Sequence, residues 1–262
     1  MGHQRLGKLP AHRLLPEIVR YLLDGGAPSG DLVDQVTEVG RDALQRAVKD
    51  PVFVEALWLL VRMPQVAFTT SLADGLSSLG LQGSRTLTLP DLLVAFDTAL
   101  ERVQRNSAGG ATDLGEMARQ SANSAIAETL QPRLPVLWSP TSEDLRHSLA
   151  ALRSPEAFAD LAQRFHSRFV DRVIHYFIDR NLHRMIGPDR VTKSLADVGT
   201  FSGAVRRHCD EASLIMRGFA RDWLGKNFYR EGKTLARDDV RRFIGHSVEK
   251  LRIELDQRKG AQ

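Results

Sequence analysis

A single cysteine stands in 262 residues. Cys209 has no partner for an intramolecular disulfide and cannot build a cysteine-rich zinc site, which fits a reducing compartment. Long apolar runs are missing as well. The longest unbroken one, Ala56 to Val61, is far short of the roughly 18 residues that a membrane span needs. The opening Met-Gly-His-Gln-Arg-Leu-Gly-Lys has no apolar stretch behind it, so no secretory signal is expected, and Leu6 stands where a myristoylation motif needs Ser or Thr. Strand-like alternation is confined to Ser84–Leu89, too short to found a sheet. No fixed-period repeat or low-complexity tract is present. These absences point to a cytoplasmic protein without a membrane partner.

What is there is helical periodicity. Leu14, Leu15, Ile18, Val19, Leu22 and Leu23 recur at three-to-four spacing before Gly25-Gly26 stops the helix. A second stripe runs through Leu32, Val33, Val36, Val39 and Leu44. Asp50-Pro51 is a strong start signal, because Asp caps and Pro fits the first turn. Val52–Val61 is apolar nearly all round and predicts a central buried helix that ends at Met63-Pro64. A weaker helix follows to about Leu79. Pro90-Asp91 opens another, and Asp113 with Glu116 resembles a capping box before a small-residue helix to Leu130. Residues 131–140 hold Pro132, Pro135 and Pro140 and cannot continue a helix. Leu134, Val136, Leu137 and Trp138 nevertheless predict that this connector packs down. A short helix over Thr141–Arg153 comes next. Ser154-Pro155-Glu156 then starts the longest helix, near 155–186, with two more at about 201–223 and 235–257. The expected fold is all-α, a multi-helix bundle of about ten helices around the long one. The expected division is a helical N-terminal part, 1–131, and a helical C-terminal part, 141–262, or one continuous domain.

Catalytic templates fit poorly. Asp171, His175, Asp179 and His183 form a ladder at four-residue spacing, where neighbouring groups can meet. The spacing overshoots a helical turn by roughly 40° per step, so the four drift around the helix and cannot share one ion. Arg168, Arg172, Arg180 and Arg184 would repel a cation there. His208 and Glu211 share a helical face, but no Glu-x-x-His pair or His-Glu-x-x-His motif accompanies them. Arg180-Asn181-Leu182-His183 sets its Arg and His too close together for the Arg-Asn…His motif of helical HEPN ribonucleases. No metal, no cofactor and no catalytic residue is expected. A metal-dependent hydrolase built on His175, Asp179, His183, His208 and Glu211 is the least favoured function.

Charge is unevenly placed. Residues 1–131 carry 12 Lys+Arg against 15 Asp+Glu, net −3, and the remainder carries 24 against 17, net +7. Aromatic residues are only 6% of the chain, so their clustering is informative. Trp223, Phe228 and Tyr229 lie among Arg217, Arg221, Lys226, Arg230, Lys233, Arg237, Arg241 and Arg242. Basic groups hold carboxylates or phosphates, and aromatics anchor interfaces or stack on bases. The plainer reading is a solvated surface whose aromatics pin a connection to the core. The expected binding residues are Arg217, Arg221, Trp223, Lys226, Tyr229, Arg230, Arg237 and Arg241. The expected function is a non-enzymatic helical subunit or adaptor of a larger bacterial protein complex, of the kind genome-defence operons encode. A nucleic-acid-binding protein using the same surface is the alternative.

Overall fold

Asp50-Pro51 begins a helix for the reason its chemistry suggests. In a computed structural model, which describes residues 43–69, 71–82, 87–181, 195–227 and 235–259, Asp50 Oδ1 accepts from the N–H groups of Val52 (2.9 Å) and Phe53 (3.1 Å). Pro51 has no N–H to leave orphaned and takes the first helical position. Helix α1 (Pro51–Thr69) follows. Val52, Phe53, Ala56, Leu57, Leu59, Leu60, Val61 and Met63 are all buried. Among the described residues α1 is the one helix long and apolar enough to cross a membrane, yet 67% of its most apolar window lies buried inside the protein. That is the position of a core helix.

Met63-Pro64 does not end this helix, contrary to the sequence reading. Pro64 lies inside α1 and deprives the Leu60 carbonyl of its usual N–H partner. The turn beyond it buries Gln65, Val66 and Ala67, and Gln65 Nε2 donates to Val61 O at 3.0 Å. Tertiary burial outweighs the lost bond.

Several of the later helices start at side-chain caps. Helix α2 (Leu72–Ser78) is capped by Ser71, and Gly80, at φ +79°, lets the Leu81 N–H turn back to Leu76 O at 2.9 Å. Capping boxes Thr88/Asp91 and Thr141/Asp144 open α3 (Leu89–Asn106) and, later in the chain, a helix at Ser142. Helix α4 (Asp113–Leu130) is capped by Thr112, one residue earlier than expected; Glu116 is not part of a box but pairs with Arg119 at 2.9 Å. A 3₁₀ turn (Gln131–Arg133) leads toward α5 (Ser142–Ala151). The longest helix is α6 (Pro155–Asn181), followed by α7 (Leu195–Ala212), α8 (Leu214–Gly225) and α9 (Arg237–Lys259). The single helix expected over 201–223 is divided at Ser213. Its N–H still bonds to Cys209 O, but its carbonyl accepts from Met216 N–H in a tighter three-residue turn, both at 3.0 Å.

The fold is all-α, with no β-strand among the described residues. Helix α6 is the spine, packing most extensively on α8 and α4 and also on α7; α1 packs on α4, α5 and the start of α9. Phe53 of α1 meets Phe165 and Phe169 of α6 at ring separations of 5.3 and 4.8 Å. The buried residues, from Ala43 to Leu251, form one apolar cluster, so no gap in the core falls at 131–141. That connector packs down only at Leu134. Val136 and Leu137 are 92% and 91% exposed and Trp138 61%, against the expectation of burial. The helix expected near Leu14–Leu23, most of the next one, Ser84–Thr86 and the long helix beyond Asn181 lie outside the described residues.

Candidate docking groove between α8 and α9

Helix α8 buries Met216, Ala220 and Leu224 and so turns Phe219 and Trp223, one turn apart, toward α9. Helix α9 buries Val240, Phe243, Ile244 and Ser247. Phe219 and Phe243 stack at 5.4 Å with planes 5° apart, and Trp223 lies 4.4 Å from Phe243. Phe158 of α6 backs both Trp223 and Phe243 at 6.3 Å. The outer faces of these rings floor a groove of about 350 Å³ whose walls carry Lys226, Asn227, Asp239, Arg242 and His246.

Each polar wall has a physical reason for its place. Asn227 Nδ2 donates to Trp223 O at 2.8 Å, closing the end of α8. Asp239 is buried because it caps α9, accepting from Ala236 N–H at 3.0 Å and from Arg242 Nη2 at 2.5 Å. His246 Nδ1 lies 2.8 Å from Arg242 O; the proton this places on Nδ1 leaves Nε2 as an acceptor when the ring is neutral. The result is an aromatic floor whose rim holds Lys226, the Arg242–Asp239 ion pair and His246. It can take a flat or apolar group that carries negative charge.

The structure brings Trp223 and Lys226 together in the groove and gives the arginines other work. Arg217 pairs with Asp160 of α6 at 2.7 Å. Arg221 meets Asp222 at 3.3 Å, and Arg241 meets Asp238 at 3.4 Å, both at exposed sites. Arg237 binds Glu55 of α1 with both Nη atoms and lies over the Trp58 ring at 4.9 Å. Tyr229 and Arg230 lie outside the described residues. Sequence reasoning missed Phe219, Phe243, Asp239 and His246 and did not select Arg242. Their available signal was paired four-residue spacing, Phe219/Trp223 on one helix and Asp239/Phe243 with Arg242/His246 on the next.

The acid–histidine ladder becomes a close contact at its first step, where His175 Nδ1 donates to Asp171 O at 2.9 Å. His175 Nδ1 lies 3.1 Å from Asp171 Oδ1, with Arg206 Nε 3.7 Å from Oδ2. Burial pushes the Asp171 carboxyl up, but the His175 hydrogen bond and the nearby arginines overcome it and hold the group below its ordinary value. The same hydrogen bond raises His175. Asp179 is exposed; His183 and the His208 side chain lie outside what is described. Arg168 and Arg172 reach across to α4, Arg168 Nε to Glu128 at 2.9 Å and Arg172 Nη2 to Ser124 Oγ at 2.8 Å. Cys209 is buried, which pushes its thiol up, and Asp171 and Asp210 add to the effect. Among the described residues no three His, Cys, Asp or Glu side chains are arranged to hold a metal ion. No protein-family model matches the chain, and neither a curated protein nor a solved structure matches it.

Proposed function

We propose that this chain is a non-enzymatic helical subunit or adaptor of a larger bacterial protein complex in the cytoplasm, docking an acidic segment of its partner in the α8–α9 groove. The observation that carries this reading is the groove itself, an aromatic floor beneath Lys226, with the Arg242–Asp239 pair and His246 at its rim. Interface centres combine aromatic area with directed charge in this way. The exposed Arg241–Asp238 and Arg221–Asp222 pairs beside it cost little to break, because exposed ion pairs contribute about 0–1 kcal/mol. Their arginines can therefore turn to carboxylates on a partner.

Nucleic acid is the weaker reading. Tracking a phosphate backbone needs a run of uncompensated cations, whereas Arg217 and Arg237 are held by Asp160 of α6 and Glu55 of α1. Binding of the full chain to immobilised Asp/Glu-rich peptides containing one aromatic residue, and to single-stranded DNA and RNA of matched charge, separates the two. The expected result is peptide binding that weakens with salt and drops at least tenfold in Lys226→Glu/His246→Glu. Binding to the oligonucleotides but not to the peptides would replace this reading with the nucleic-acid one.

A further inference from the structure

Residues 134–140 read Leu-Pro-Val-Leu-Trp-Ser-Pro and carry no charge. The loop is held at both ends. Leu134 is buried in the core, and Ser148 Oγ donates to Arg133 O at 3.3 Å. At the other end Thr141 and Asp144 form the reciprocal cap of α5. Pro135 and Pro140 fix two φ angles and remove two N–H donors. Between these anchors Val136, Leu137 and Trp138 project at 92%, 91% and 61% exposure. The other exposed large apolar side chains among the described residues, such as Val94 and Phe68, are single in sequence. Three consecutive exposed apolar side chains on a loop anchored at both ends are the kind of surface that interaction sites use, and the anchoring lowers the entropic cost of binding.

Area and charge select the occupant. Three such side chains offer on the order of a few hundred Å², whereas a stable interface takes roughly 800 Å² from each partner. Two copies meeting loop to loop fall short, so the loop suits a concave site that wraps it. An anionic bilayer is recruited by clusters of about four to eight Lys or Arg. Here Arg133 and Arg146 are balanced by Glu143 and Asp144, with Arg146 already paired to Glu143 at 2.6 Å. Arg133 is exposed and has no carboxylate partner among the described residues.

We infer that the Val136–Trp138 loop is a preformed insertion element that seats Leu137 and Trp138 in an apolar pocket of a partner protein, with a carboxylate at the pocket's lip facing Arg133. This surface is separate from the α8–α9 groove and does not depend on it. The test places a photo-crosslinking benzoylphenylalanine at position 137 of the full chain in cells that natively make it, with the same group at exposed Arg105 as control. The expected product is an adduct with one protein, identified by mass spectrometry. That protein, once purified, should bind the unmodified chain and lose roughly 30-fold in affinity or more toward Trp138→Ala. Arg133→Glu should weaken the same complex, and the helical circular dichroism of both variants should match that of the parent chain. Adducts to lipid, adducts only to a second copy, no adduct above the Arg105 control, or a purified partner indifferent to Trp138→Ala would each overturn the inference.

Discussion

Gly115 shows how little room one residue is allowed where two helix starts meet. Thr112 Oγ1 donates to Asp50 Oδ2 at 2.5 Å and accepts from the Gly115 N–H at 2.8 Å, tying the cap of α4 to the cap of α1. A Cβ at position 115 would lie 2.8 Å from Thr112 Oγ1 and 3.1 Å from Val52 Cβ. Alanine in a helix is ordinarily favourable over glycine by up to about 1 kcal/mol, but overpacking of this kind costs about 1–3 kcal/mol. Gly115→Ala should therefore lower stability, read as a shift of the urea midpoint to lower concentration; an unchanged or higher midpoint would show that the junction yields freely.

His166 carries the clearest pH dependence. It is fully buried against the Phe53 and Phe165 rings, with Nδ1 donating to Ala162 O at 2.7 Å and Nε2 3.5 Å from Ser247 Oγ. Burial pushes the imidazole down to about 4 from 6.5, and the Ala162 carbonyl offsets only part of this. The unfolded chain therefore takes up this proton first as pH falls. The associated stability is complete above about pH 6.5 and is lost toward pH 4, approaching about 3 kcal/mol. His175, raised by Asp171, works in the opposite sense, strengthening the fold as pH falls. Urea midpoints between pH 7 and pH 4 should accordingly drop less steeply for His166→Leu than for the parent chain. Parallel profiles would mean that His166 is not the group responsible.

At the scale of elements, Arg237 adds a polar tie between the start of α9 and α1. Arg237 holds Glu55 and covers Trp58, joining residues 182 positions apart. Half-exposed pairs with an added ring contact contribute about 1–2 kcal/mol. Arg237→Glu sets like charges together, and the effect should be local. Amide hydrogen exchange should accelerate in the first turns of α9 while the middle of α6 keeps its protection. Uniform acceleration throughout the chain would instead indicate that α9 cannot loosen without global unfolding.

At the scale of the molecule, the buried apolar residues on both sides of 131–141 form one cluster, so the two charge-contrasted parts are expected to unfold together. Helix α1 buries its apolar surface against α5 and α9 as well as α4, and α4 in turn covers α6. Thermal unfolding followed by circular dichroism and by tryptophan fluorescence should give coincident transitions. Fragments 1–131 and 141–262, expressed apart, should show much less helix than their share of the whole. Two well-folded fragments would establish two domains.

Much of the architecture was legible because helix chemistry is local. Asp50-Pro51 and the apolar face of α6 act within a few residues of themselves, so their caps and periodicity point to the observed elements. The exceptions follow from distant burial: α1 survives Pro64 because the turn beyond it is packed. The groove was legible only in part. Trp223 and Lys226 stood out as an aromatic beside a cation, whereas Phe219 and Phe243 look like any helical core residues until two helices bring them face to face. Charge shows the same division. The sequence by itself determined the all-α class, helix starts such as Asp50-Pro51 and Ser154-Pro155, and the basic bias of the C-terminal part, since each depends on composition or on spacing within a turn or two. Only the tertiary structure decided that Arg237 belongs to Glu55 and Arg217 to Asp160, and that Leu134 turns inward while Val136, Leu137 and Trp138 face solvent. Pairing and exposure depend on which remote segment arrives opposite a side chain, and packing of the whole chain settles that.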